Sequence, residues 1–326
     1  MCSFSISKLT DHHDAHNLSG EGNANHAMTS QSKATLMLLF ITACWGLTFI
    51  LIKNTVQSIT PFTFVALRFL LAVLILGWVF KYGFRIEMKP TRDEWKFGSL
   101  LGVFLFIGYS SQTAGMLYTS AGNAGFITAL SVVLVPVLAR IYGGRISGFT
   151  LFGVLLSVAG VGLLSLEQTS KINSGDALEV ICAIFFAMHI FYVGRFSNRY
   201  HTGRMTCIQV LVCGVLAALS ALLFEHPVSA IQGLSRFGWG SLLFCAIIAT
   251  SFAYYVQNEF QKHTDPVKTA LVFTTEPVFS SVFAFVIAGE TLSRQGMLGG
   301  ALMILAMLVA EFGALWSQKL TRHKPL

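Results

Sequence analysis

Between Phe97 and Ala139 the chain carries no Asp, Glu, Lys or Arg. As one α-helix that run would be about 65 Å long, twice the ~30 Å hydrocarbon core of a bilayer. A soluble fold has no place for so long an uncharged stretch, and a membrane accommodates it only if it turns back. The turn falls at Thr119, Ser120, Ala121, Gly122 and Asn123, where small and polar residues cluster. Composition agrees: 11% of the 326 residues are charged, whereas soluble chains carry about 25%. The bilayer is the solvent for this protein.

Further uncharged runs cover residues 34 to 52, 146 to 166, 205 to 224 and 237 to 258. Single charges interrupt four others: Arg68 in 61 to 80, Glu179 in 177 to 194, Glu276 in 267 to 289 and Glu311 in 296 to 316. With the folded-back run this predicts an all-α membrane protein of ten transmembrane helices. Lys and Arg are enriched in short cytoplasmic loops. With the amino terminus inside, 17 basic residues fall in inner segments and 4 in outer ones, and Arg68 stays in the membrane. Both termini are therefore expected in the cytoplasm. The net charge of +7 is spread over these loops rather than along one face, so it does not point to nucleic acid. The six cysteines lie in the tail or in apolar runs without paired spacing and read as small packing residues. Residues 1–32 form a polar tail without the apolar core of a signal peptide. Its Asp11, His12, His13, Asp14 and His16 have no partner cluster to fix a metal geometry, and they read as solvated tail.

At a shift of 141 residues Thr128-Ala129-Leu130 matches Thr269-Ala270-Leu271, and Pro136 matches Pro277. The expected organisation is a five-helix repeat at 34–166, a second at 175–316 and a short tail at 317–326. An odd number of spans per repeat inserts the halves in opposite senses, the architecture of secondary transporters with a site near the midplane; ion channels and membrane enzymes can also be duplicated.

Several short stretches carry a family likeness: Trp45-Gly46 followed by Phe49 and Lys53, Pro61 with Arg68, Thr119 through Phe126, Glu276-Pro277-Val278-Phe279, and Gly289-Glu290. In this order the chain resembles the ten-helix EamA-type permeases of the drug/metabolite transporter superfamily. The resemblance implies a single-polypeptide carrier that exports or exchanges small metabolites by rocking its halves around a cavity lined by the third, fourth, eighth and ninth helices. One departure is that no glutamate of the first half corresponds to Glu290; Arg145 follows Pro136 by nine residues instead.

An ionisable side chain near the bilayer centre costs at least about 2.5–3.5 kcal/mol on insertion scales, so each marks a functional position. Glu276 sits near mid-depth before Pro277, which cannot donate a backbone hydrogen bond. It either exchanges a proton during transport or pairs with a neighbour to lock helices. Arg68 either snorkels to the outer edge or pairs with Glu276 or an anionic substrate. His189 is a packed, hydrogen-bonded residue or a proton relay. Glu179 and Glu311, closer to span ends, are expected to meet water. Polar runs in the third span (Tyr109, Ser110, Ser111, Gln112 and Thr113) and the eighth (Thr250, Ser251, Tyr254, Tyr255, Gln257 and Asn258) either line a cavity or bridge helices; Trp45 joins them or packs, and Asn123 joins them or caps the fourth helix.

The expected function is secondary transport of a small organic or amino-acid-like metabolite across the plasma or bacterial inner membrane, directed outward, with protons as the coupling ion. The protein would act as monomer or homodimer, with membrane lipid around it. A facilitative exchanger of the nucleotide-sugar type is the nearest alternative, although it calls for more buried basic residues than Arg68. A receptor or scaffold is a third reading. No zinc-protease pattern, phosphate loop or Cys–His pair supports an enzyme or a cofactor.

Overall fold

A computed structural model of the chain describes residues 19–119, 121–165, 173–288 and 294–322. The histidine-bearing tail segment, Gly289-Glu290 and the last residues of the carboxy-terminal tail lie outside that set, as does the side chain of Glu311. The first half comprises α1 (Ser19–Thr55), α2 (Pro61–Trp78), α3 (Arg92–Gly115), α4 (Ala121–Ala129), α5 (Ser131–Ile141) and α6 (Gly148–Ser165). The second comprises α7 (Ser174–Phe196), α8 (Thr202–Phe224), the short α9 (Pro227–Gln232), α10 (Arg236–Ala246), α11 (Ala253–Phe260), α12 (Pro266–Phe273), α13 (Glu276–Ala288) and α14 (Arg294–Arg322). No strand occurs among the described residues.

Local chemistry sets many of the helix starts. Proline occupies the first turn of α2, α9 and α12, where its missing N–H costs nothing. Thr91 with Glu94, and Asn173 with Asp176, form reciprocal capping boxes at α3 and α7. Asp265 accepts from the Val267 and Lys268 N–H groups at the start of α12.

Among the described residues seven helical stretches are long and apolar enough to cross a bilayer, and Gly148–Leu163 and Arg294–Ala310 are shorter apolar helices. The sequence reading counted ten. The difference lies in those two and in α3, whose first turn holds Arg92, Asp93, Glu94 and Lys96 and whose last turns hold Tyr109 through Thr113. Large apolar side chains such as Leu74, Leu223, Ile141 and Val286 cover the outside, a surface suited to lipid and unsuited to water.

Helix packing exchanges symmetrically between the halves. The first helix of each half packs against the broken fourth helix of the other: α1 on α12 and α13, α7 on α4 and α5. The second helices pair as α2 with α8, and the last as α6 with α14. The interior between the halves is thus bounded by α1, α3, α7, α11 and the two broken helices.

Candidate substrate cavity

The second broken helix makes the polar centre. Its two parts, α12 and α13, are separated by Thr274 and Thr275. Pro277 has no N–H to offer back along the helix, and just before it the Thr274 and Thr275 hydroxyls donate to the carbonyls of Leu271 and Val272, at 2.7 Å each. The interruption leaves Glu276 as the first residue of α13, facing a cavity. Gly46 lets α1 lie directly on this break: a Cβ there would stand 2.7 Å from Phe279 Cβ and 2.9 Å from the Glu276 carbonyl oxygen. The neighbouring Trp45 lines the same cavity as Glu276, its indole ring 5.1 Å from the ring of Phe273.

A second irregularity fixes that indole. Between α10 and α11 the backbone forms a π-helical turn, Ile247–Phe252. The Ala253 N–H bonds to Ile248 and Thr250 carbonyls, and the Ala249 carbonyl accepts from Trp45 Nε1 at 2.8 Å and from Arg68 Nη2 at 3.2 Å. Single π turns of this kind recur at functional sites.

Arg68 is 1% exposed, so it does not snorkel. Its Nε donates to Thr250 Oγ1 at 2.7 Å, Nη2 lies 3.5 Å from the Tyr109 hydroxyl, and the guanidinium stands 4.5 Å from the Tyr109 ring centre. No ion pair joins it to Glu276 among the described residues. Neither snorkelling nor an ion pair with Glu276 is seen for Arg68: the cation is held by the π turn at Ala249 and Thr250 and by the aromatic face of Tyr109. Tyr254 in turn donates its hydroxyl to that of Tyr109 at 2.8 Å.

The cavity is lined by Trp45, Tyr109, Gln112, His189, Tyr254 and Glu276 from the sequence-based set, with Arg68 behind the tyrosine pair. His189 Nε2 lies 2.8 Å from Gln209 Oε1. Tyr255 points elsewhere, its ring 5.3 Å from that of Phe80. Asn123 lies in α4, and its side chain is outside the described residues. Glu179, expected to meet water, is instead fully buried against Thr128, because α3 and α7 approach at Gly115 and Gly175, where a Cβ on Gly175 would lie 2.6 Å from the Gly115 carbonyl oxygen.

Sequence reasoning passed over Thr48, Thr128, Ser131 and Phe273 as lining residues. Gln257, in the polar run of the eighth span, matches Gln112 of the third: Tyr109-Ser110-Ser111-Gln112 and Tyr254-Tyr255-Val256-Gln257 repeat one Tyr-x-x-Gln pattern, and both glutamines face the cavity. Among the described residues Glu276 is the one carboxyl on a wall of aromatic rings, amides, hydroxyls, an imidazole and the aliphatic Ala129 and Ile190. Such a wall can hold a small, partly apolar molecule by ring contact and hydrogen bonds, with one acid to sense its charge.

A many-helix membrane protein with a polar cavity between two matching halves has the form of a carrier. The chain belongs to the EamA-like transporter family, whose model matches it twice, at residues 32–166 and 173–311. An uncharacterized transporter of Archaeoglobus fulgidus is 32% identical over 288 residues, 85% of each chain. The uncharacterized transporter YyaM of Bacillus subtilis is 26% identical over 285 residues, 85% of this chain and 92% of its own. The uncharacterized inner membrane transporter YedA of Escherichia coli is 24% identical over 277 residues, 82% of this chain and 87% of its own. A solved crystal structure at 21% identity shares the fold, with a TM-score of 0.71 over 85% of this chain and 98% of that one.

Proposed function

We propose that this protein is a secondary transporter that moves a small organic or amino-acid-like metabolite outward by alternating access. In this reading ten membrane spans form two oppositely inserted five-helix repeats with both termini cytoplasmic. The inner membrane of a bacterium is the proposed location, supported by the similarity to the inner membrane transporter YedA. The substrate lies among Trp45, Tyr109 and Tyr254 with its polar groups on Gln112 and Gln257, and Glu276 exchanges a proton as the substrate arrives or leaves.

The placement of Glu276 carries this reading. Its carboxyl faces the cavity at a helix break, with no hydrogen-bonding cation among the described residues. A proton or a cationic substrate group can therefore neutralise it, and each favours a different occupancy of the same site. Arg68, held by its own partners, contributes a fixed positive field behind the tyrosines.

Comparing metabolites inside and outside cells with and without the protein identifies the cargo. With that compound in proteoliposomes, Glu276→Gln should abolish flux driven by a pH gradient and leave counterflow exchange intact. Undiminished gradient-driven flux in the variant would eliminate Glu276 as the coupling group.

A further inference from the structure

Glu179 on α7 is a second acid with no role in the cavity as described, and none of its surface is exposed. Its Oε2 accepts a hydrogen bond from Thr128 Oγ1 at 3.2 Å, while Oε1 has no hydrogen-bond partner. Oε1 is pressed toward α3, where a Cβ on Gly115 would stand 2.9 Å from it.

Among the described residues, the groups that face Glu179 supply no balancing cation. Asp176, one turn earlier on α7, is held by the Thr119 hydroxyl at 2.6 Å and the Asn173 N–H at 3.0 Å. The Cys182 sulfur shares Thr128 at 3.8 Å. Glu276 on α13 lies on the cavity wall that also includes Thr128. Lys53, at the end of α1, is committed to the Met116 and Thr119 carbonyls at 2.6 and 2.9 Å. An unbalanced carboxylate among buried acids is costly, and a bound proton removes its charge.

Thr128 connects this acid to the cavity. The residue is on the cavity wall, and Gln112 Nε2, also on that wall, donates to Thr128 Oγ1 at 3.4 Å. That contact occupies a lone pair of the hydroxyl and leaves its hydrogen directed at Glu179. We propose that Glu179 is a second proton-binding site of the transporter, loaded from the cavity through the Thr128 hydroxyl. A hydronium ion in the cavity gives its proton to Thr128 Oγ1 as the threonine's own proton passes to Glu179 Oε2. The products are water, an unchanged hydroxyl and a neutral carboxylic acid; unloading reverses the step. The inference rests on the transport reading only in requiring that water enters the cavity.

Infrared difference spectra of the full-length protein in lipid bilayers, with H2O exchanged for D2O, test this without knowledge of the cargo. The wild type should show a protonated-acid carbonyl band that Glu179→Gln removes and Glu276→Gln retains. Thr128→Val should keep the band and slow its deuterium exchange by about tenfold, the rate equivalent of one lost hydrogen bond. Persistence of every acid band in Glu179→Gln would overturn the assignment, and so would exchange as fast in Thr128→Val as in the wild type. Should Glu179→Gln fail to fold, the threonine variant decides alone, through the band's exchange rate and its shift on loss of the hydroxyl. Loss of coupled flux in Glu276→Gln is read separately, so either idea can fail while the other stands.

Discussion

At Ala249 a single carbonyl oxygen receives the Trp45 indole and the Arg68 guanidinium, two side chains from helices of the other half. Trp45→Phe keeps an aromatic ring while removing the N–H donor and part of the packing against Tyr254 and Phe273. Because Arg68 still reaches the carbonyl, the variant should lose about 1 kcal/mol of stability, read as a lowered thermal unfolding midpoint in detergent. An unchanged midpoint would mean that the indole bond contributes nothing. Which residue types matter was legible in the sequence, since Arg68, His189 and Glu276 are ionisable groups inside apolar runs. Their partners were not. Arg68 meets Ala249 and Thr250 across 181 and 182 residues of chain, and no local pattern encodes a contact that only the docking of two halves creates.

Besides the break between α4 and α5, two interruptions of regular helix build the cavity, and these two differ in how plainly the sequence announces them. Pro277 preceded by two threonines and a glutamate is a visible weak point. The π turn at Ile247–Phe252 is not, because Ile-Ile-Ala-Thr-Ser-Phe reads as ordinary apolar helix. What offsets its cost is a set of donors from elsewhere, Trp45 and Arg68 on Ala249, so its cause is tertiary. At this scale the contact of α1 with α13 is the most sensitive. Gly46→Ala forces a methyl into Phe279 Cβ and the Glu276 carbonyl; it should lower the unfolding midpoint and transport together. Gly77→Ala, also within a helix but with nothing within 4 Å of the added methyl, should instead raise stability by about 0.5–1 kcal/mol. Equal effects of the two would show that the close approach of α1 to the break is absent in the membrane.

For the whole molecule, the symmetric exchange of helices between halves makes rocking physically reasonable. Each half grips the broken helix of the other, so a small rotation moves both breaks relative to the shared cavity. The repeat was readable from four identities at one shift. The cavity contents were only half readable, because Thr48, Thr128 and Ser131 are common residues that gain meaning only where three helices meet. The proposed orientation is tested by cysteine labelling of intact cells with a membrane-impermeant maleimide. Ser58→Cys, in the α1–α2 connection, should react directly, and Lys89→Cys, in the α2–α3 connection, only after permeabilisation. The reverse pattern would invert the topology.

Spin-label distances across the two faces test alternating access around Glu276 most directly. In reconstituted protein one label pair at Tyr118 and Gln232 reports the proposed outer face, and a second at Lys89 and His263 the inner one. Each pair should show two distances whose populations shift oppositely as pH changes, with the shift lost in Glu276→Gln. A single distance at each face, or populations that ignore pH in the wild type, would contradict the account.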